Sequence, residues 1–248
     1  MGYFEQEGLF EDVPYALVDS GWTGSLQQTL AELLNHAGCK KQLEGFYFGL
    51  YELPKGVDES RYHTYYFGPD YGMRRKVYFS SSLFEVIFSA PHGMTITYKI
   101  DSGKYRPLFF REQNLNQDAL EKEKQWLEQY LMEYQSHQER NTNATVYEGL
   151  KRFIGKPIKE EADLYGRLLF SEDMREEDVQ EVAVKLTNEE LKNHIVWNKL
   201  LIMLGKKNAV LKECAWIEGS IVRSTQKNRW WLMNIRCYKY LIYLRKWL

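Results

Sequence analysis

The sequence predicts a mixed α/β protein, with a Rossmann-like, mostly parallel sheet in the N-terminal half and a helical C-terminal half. Three observations predict it. An apolar run over residues 14–19, a small-residue loop, an amphipathic stretch over 24–37 and a second apolar run over 43–51 follow one another. That order is the strand–helix–strand pattern of a parallel pair. After about residue 113 the apolar spacing turns helical and charges crowd in. Finally, 44% hydrophobic and 15% aromatic residues in a chain of 248 suffice for a large core and argue against disorder. The expected division is an α/β domain over 1–112 and a helical region over 113–248. Whether these are one domain or two is open.

The first strand is expected to end at Asp19, where Ser20-Gly21 reads as a turn. The helix over 24–37 carries Leu26, Leu30, Leu33 and Leu34 on one face, with Gly38 as its stop. Residues 54–72, rich in Gly, Pro, Asp and Tyr, read as a loop or lid. Lys76 to Phe79 reads as a short strand, and Ser80-Ser-Ser82 as the cap of a helix over 83–89. Alternation over 95–100, a turn at Asp101-Ser-Gly-Lys104 and a return to Phe110 predict a hairpin. Helices follow over 117–138, 143–154, 159–169, 175–186 and 187–204. The last opens with Thr187-Asn-Glu-Glu190, a capping box. No repeat of solenoid length occurs.

The net charge of −1 offers no global field for nucleic acid. The ends differ, however. No acidic residue follows Glu218, while Arg223, Lys227, Arg229, Arg236, Lys239, Arg245 and Lys246 are basic. That end carries +7, leaving −8 on residues 1–218, an asymmetry typical of an interaction tail. Cys39, Cys214 and Cys237 form neither a disulfide framework nor a zinc spacing and fit a reducing, cytoplasmic compartment. No signal peptide, myristoylation signal or membrane-length apolar run is expected.

The segment Asp19-Ser-Gly-Trp-Thr-Gly-Ser25 is the main candidate site. Ligands of open α/β sheets bind at the carboxyl ends of the strands, where Asp19 is expected. Gly21, Thr23, Gly24 and Ser25 are small enough for backbone N–H groups to approach an anion. The helix that follows adds its positive end. Thr23 and Ser25 offer hydroxyls, Trp22 offers a stacking face, and Gln27 completes the ligand-binding set. Asp19 is the candidate catalytic carboxylate, contacting a hydroxyl or a metal-bound phosphate, with Mg²⁺ as the candidate cofactor. The segment has neither P-loop nor GxGxxG spacing. A plain strand–helix turn, with Trp22 over the core, is equally open. A haloacid-dehalogenase (HAD)-like phosphohydrolase pattern, DxDx[TV], is also incomplete, because Gly21 stands where the second, acid/base Asp belongs.

Ser89-Ala-Pro-His-Gly93 makes His92 a second catalytic candidate, as a base or phosphate ligand, with a structural loop histidine as the alternative. Glu218, in Cys214-Ala-Trp-Ile-Glu-Gly-Ser220, is a ligand-binding candidate or a carboxylate paired with Asp19. A helix end with Trp216 in the core is the plainer reading. Residues 230–248 interleave Trp, Tyr, Arg and Lys. They suit an interfacial helix on an anionic membrane, a nucleic-acid stacker or a last core helix.

Several islands resemble a known module: Tyr3-Phe-Glu-Gln-Glu-Gly-Leu9, Ala16 to Gln27, Gly45-Phe-Tyr-Phe-Gly-Leu50, Phe84 to Gly93 and Trp216-Ile-Glu-Gly-Ser-Ile221. They are similar to the C-terminal module of bacterial HAD-superfamily polysaccharide-biosynthesis proteins, which are associated with glycosyltransferases. The resemblance implies cytoplasmic work at the inner membrane face, on a sugar phosphate or sugar nucleotide. It also implies a chain matching the second half of such a protein, without the domain that bears DxDx[TV]. A glycosyltransferase-like reaction is one reading, though no DxD motif accompanies it. A non-catalytic scaffold docking a glycosyltransferase or the membrane is another.

Overall fold

The structure, a computed structural model, describes residues 1–136, 142–171 and 178–245. It is mixed α/β, with a three-stranded parallel sheet in the N-terminal half and helices after it. The chain divides into two compact units. Residues 1–72 and 90–114 form the first, and residues 73–89 and 115–248 the second.

In the first unit, α1 (Gly2–Gln6) is followed by β1 (Ala16–Trp22), α2 (Ser25–His36), β2 (Glu44–Leu50) and β3 (Tyr62–Phe67). The sheet order is β1-β2-β3 and both pairings are parallel. β3 lies inside the stretch read as a loop from its Gly, Pro and Asp neighbours. The run Tyr62-His-Thr-Tyr-Tyr-Phe67 is aromatic and β-favouring, and that outweighs the flanking breakers. β1 also outruns its expected end. Its ladder continues past Asp19, pairing Gly21 with Gly49 and Trp22 with Leu50. Gly21 sits at φ 113°, and a Cβ there would collide with the Gly49 carbonyl oxygen. Ser20-Gly21 is therefore not a turn but a close passage between two strands.

α2 packs on the sheet face that carries Tyr47, through only part of the leucine face that its periodicity suggests. Leu34 and Gln27 are buried, whereas Leu26 and Leu33 are 54% and 48% exposed. A polar side chain occupies a core position because its hydrogen bonds are satisfied there. The opposite sheet face is open, with Val18, Phe46 and Tyr65 exposed. The expected hairpin forms as β4 (Thr95–Asp101) and β5 (Lys104–Phe109). α1 is tied to it by a two-way bond: the Gln6 amide donates to Tyr105 O (2.9 Å) and accepts from Tyr105 N (2.6 Å).

The second unit begins with α3 (Met73–Val77), where a strand over 76–79 was expected, and α4 (Ser81–Ile87), capped by Ser80 as predicted. Then come α5 (Gln117–Ser136), α6 (Asn143–Phe153) and α7 (Lys159–Tyr165). Part of the helix expected over 175–186 lies outside the described residues. The rest is not helical: β7 (Gln180–Glu181) pairs with β6 (Leu169–Phe170), and Val182 and Ala183 are fully buried. The capping box at Thr187 and Glu190 is present, but the expected helix over 187–204 is two, α8 (Asn188–Asn193) and α9 (Val196–Met203). α10 (Ile217–Ser224) and α11 (Asn228–Arg245) complete the unit. The core of this unit includes Val77, Phe79, Leu83, Ile154, Leu191, Trp216, Ile221 and Ile235. Trp216 is fully buried and donates its indole N–H to Ile154 O at 2.8 Å.

This unit buries the titratable groups Glu218 and His194. Glu218 is 1% exposed and bonds Lys239 Nζ at 2.6 Å, and the same ammonium donates to Phe79 O. Replacing Lys239 by Met strands a buried carboxylate. It should cost about 3–5 kcal/mol in urea denaturation, most of it recovered in the double variant Glu218→Met/Lys239→Met. His194 is buried, and that burial, followed by the charge of Lys199, pulls its pKa from 6.5 to about 4. The native state thus holds it neutral while the unfolded chain protonates it near 6.5. The stability it confers is full above 6.5 and is lost as pH falls toward 4. Urea titrations across that window should show a steep loss that flattens in His194→Gln.

Candidate functional site

The segment between β1 and α2 is shaped by three residues of unusual backbone. Gly21 (φ 113°), Trp22 (φ 89°) and Gly24 (φ 65°) all lie where side-chain-bearing residues are rare. Trp22 is the informative one, since a bulky residue adopts such a φ only when its surroundings hold it there. They do. Its carbonyl accepts from Tyr51 N at 2.8 Å, and its ring lies 5.9 Å from the Tyr51 ring and 6.3 Å from that of Phe67. Trp22 is therefore a half-buried member of an aromatic cluster, and its ring is committed to packing.

The turn that follows aims the next residues outward. Gly24 is the N-cap of α2, left-handed and buried, and a Cβ there would press on the Tyr62 ring. Glycine offers no side-chain oxygen, so no side chain caps the helix, and its first turn carries no acidic residue. The leading N–H groups of α2 and its positive end are thus left for an external acceptor. Thr23 and Ser25 flank this point, both exposed, with their hydroxyl oxygens 3.1 Å apart.

The other candidates are placed as follows. Asp19 lies within β1, three residues before its end, which corrects its expected position at the strand terminus. Its carboxylate accepts from Ser20 Oγ at 3.3 Å and faces the Tyr47 side of the sheet closely enough to help raise that phenol's pKa, after burial and Tyr62. Gln27 points inward. Its Nε2 donates to Leu43 O (2.7 Å) and Arg61 O (3.2 Å), and its Oε1 accepts from Tyr47 OH (2.7 Å). All three bonds are internal, so this amide is a positioning group. His92 stacks on Phe109 at 3.9 Å, with Nδ1 2.8 Å from Gly93 O.

Glu218 belongs to the second unit, where Lys239 is its partner. The neighbouring Cys214 thiol is pushed up to about 11, chiefly by burial, so at neutral pH it stays protonated and weakly nucleophilic. The basic tail is partly structural. Arg223 is buried and donates to Gly166 O, Ala183 O and Glu181, Arg236 donates to Gly155 O, and Lys239 holds Glu218. Residues 246–248, the end of that tail, lie outside the described residues. No helix among the described residues is long and apolar enough to cross a membrane.

Sequence reasoning missed the backbone of Trp22 and the inward turn of Gln27. Neither has a local signal, since both depend on strands distant in the chain. Among the described residues, no group of three or more His, Cys, Asp or Glu is arranged to hold a metal. No protein-family model matches the chain, and no curated protein matches it significantly.

Gln27→Leu, which keeps the volume but removes all three bonds, should destabilise the first unit by about 3 kcal/mol. Chemical denaturation followed by hydrogen exchange of β2 amides measures it. An unchanged midpoint would mean that Gln27 is not the anchor of α2.

Proposed function

We propose that the chain is a binding module for a phosphorylated ligand, a sugar phosphate or sugar nucleotide, held at the N-terminus of α2. The observation that carries this reading is the start of that helix: a left-handed glycine cap, no capping side chain, no first-turn acid, and two exposed hydroxyls at Thr23 and Ser25. An anion is the natural complement of such an end. The parallel β1–α2–β2 unit supports a Rossmann-like phosphate half-site. The setting, bacterial surface-polysaccharide biosynthesis at the inner membrane face, rests on the sequence islands alone. Asp19 and His92 are candidates for contacts to the rest of the ligand and Mg²⁺ for a counter-ion. The phosphohydrolase reading is disfavoured, because position 21 admits no side chain at all, let alone a second Asp.

One observation favours a second reading, a scaffold docking a glycosyltransferase or the membrane. α11 exposes Trp230, Met233, Cys237, Leu241 and Leu244 at steps of three or four residues, beside the exposed Arg229. Such a stripe suits an anionic interface.

A thermal-shift screen of sugar phosphates and of UDP-, GDP-, CDP- and dTDP-sugars, with and without Mg²⁺, separates the two. A ligand at about 100 times its Kd should add about 2.7 kcal/mol of stability. Ser25→Asp places a carboxylate on the helix end, which favours the fold but repels phosphate, so the shift should vanish. A shift that survives Ser25→Asp would move the site elsewhere. No shift with any ligand, together with sedimentation on phosphatidylserine vesicles that is lost in Trp230→Ser/Leu241→Ser, would favour the scaffold.

A further inference from the structure

The second unit contains a concave site that neither reading uses. A cavity of about 270 Å³ lies between α5 and α7, lined by Asp118, Lys122, Glu123, Trp126, Leu164 and Tyr165 among others. Small-molecule sites usually span about 300–1,000 Å³. This one therefore suits a small organic group and is too small for a sugar nucleotide.

Its walls combine aromatic surface with two carboxylates, Glu123 and the exposed Asp118, against one exposed ammonium, Lys122. Trp126 stands at the rim, 60% exposed, on a helix that is otherwise strongly charged. Tyr165 is backed edge-on by Phe153 at 4.8 Å, which fixes its ring. Glu123 is only partly exposed, and among the described residues no hydrogen bond or ion pair reaches its carboxylate. Burial raises the pKa of that carboxyl. The Tyr165 phenol is raised too, by burial first and then by Glu123, so the two groups share one space. Lys122 is on the same lining but exposed.

A ligand that fills the cavity would take the Glu123 carboxylate out of water, which is costly unless the ligand brings a cation. The faces of Trp and Tyr attract the same cation. A phosphate would be repelled, and a neutral ligand would leave the carboxylate uncompensated.

We propose that this cavity binds a small organic cation, an alkyl- or quaternary ammonium group, with Glu123 as counter-ion and Trp126 and Tyr165 as the aromatic walls. The site is independent of the α2 terminus, so Ser25→Asp should leave it untouched.

Calorimetric titration of the full chain with choline, and with 3,3-dimethylbutanol as its uncharged isostere, tests the proposal. Choline should bind saturably, and the alcohol about tenfold more weakly or not at all. Glu123→Gln and Trp126→Ala should each lose about tenfold or more in choline affinity, whereas Trp126→Phe should retain most of it. Glu123→Gln removes a partly buried charge, so its melting temperature should equal or exceed that of the unmodified chain. That separates lost binding from lost fold. Equal binding of the alcohol, unchanged affinity in Glu123→Gln, or no saturable binding of either choline or butylammonium would overturn the assignment.

Discussion

One side-chain amide fixes the geometry on which the first unit depends. Parallel strands have no tight turn to set their register, and the connection from β2 to β3 contains only a single 3₁₀ turn, Glu59–Arg61. Gln27 substitutes for the missing turn. By donating to Leu43 O and Arg61 O, it holds the residues just before both strands, and through Tyr47 OH it grips the middle of β2. Arg61 extends the clamp through Glu44 (2.6 Å) and Asp58 (3.1 Å). Displacement of α2 would leave three buried polar groups unpaired at once, each costing about 1–3 kcal/mol. The N-terminus of α2 therefore stands at a fixed place relative to the strand ends, as the proposed anion site would require.

The second unit uses polar anchors differently. Apart from α5 and α11 its helices are short, and several would be marginal alone. Arg223 ties α10 to the chain after α7 and to β7, Trp216 ties the start of α10 to the end of α6, and the Glu218–Lys239 pair ties α10 to α11. All converge on α10, which is buried over Glu218–Arg223. Buried ion pairs add little net stability over an apolar replacement. What these contacts do here is tie β7, the chain after α7 and α11 to α10. The same bonds explain why the basic charge of the C-terminal segment is not simply a surface field.

Much of this was legible in the sequence, and the legible parts are local. The β1–α2–β2 order, the Ser80 cap, the Thr187–Glu190 capping box and the 95–109 hairpin each depend on neighbours within a few residues. What was hidden depends on partners far along the chain. Ser20-Gly21 reads as a turn until Gly49 is placed beside it, and β3 reads as a loop until β2 offers it a ladder. Gln27 reads as a ligand-binding residue because hydrophobic period counts it as polar, although its bonds turn it into the core. The cavity was invisible for the same reason. Glu123 and Trp126 share a helix face by spacing, but Tyr165 joins them only through packing of α7. At the candidate site, the glycines and hydroxyls were readable, whereas the strained Trp22 was not.

The interleaving of the two units along the chain bears on how the protein is made. Residues 73–89 belong to the second unit yet precede the hairpin that completes the first. During synthesis, Val77, Phe79, Leu83 and Val86 leave the ribosome well before Trp216 and Ile221, which complete their core. At about 5–20 residues per second, roughly ten seconds pass before the core around that apolar segment is complete. Nascent chains of this protein should thus be natural clients of chaperones that bind short apolar stretches, with α4 and its flanks as the segment they hold.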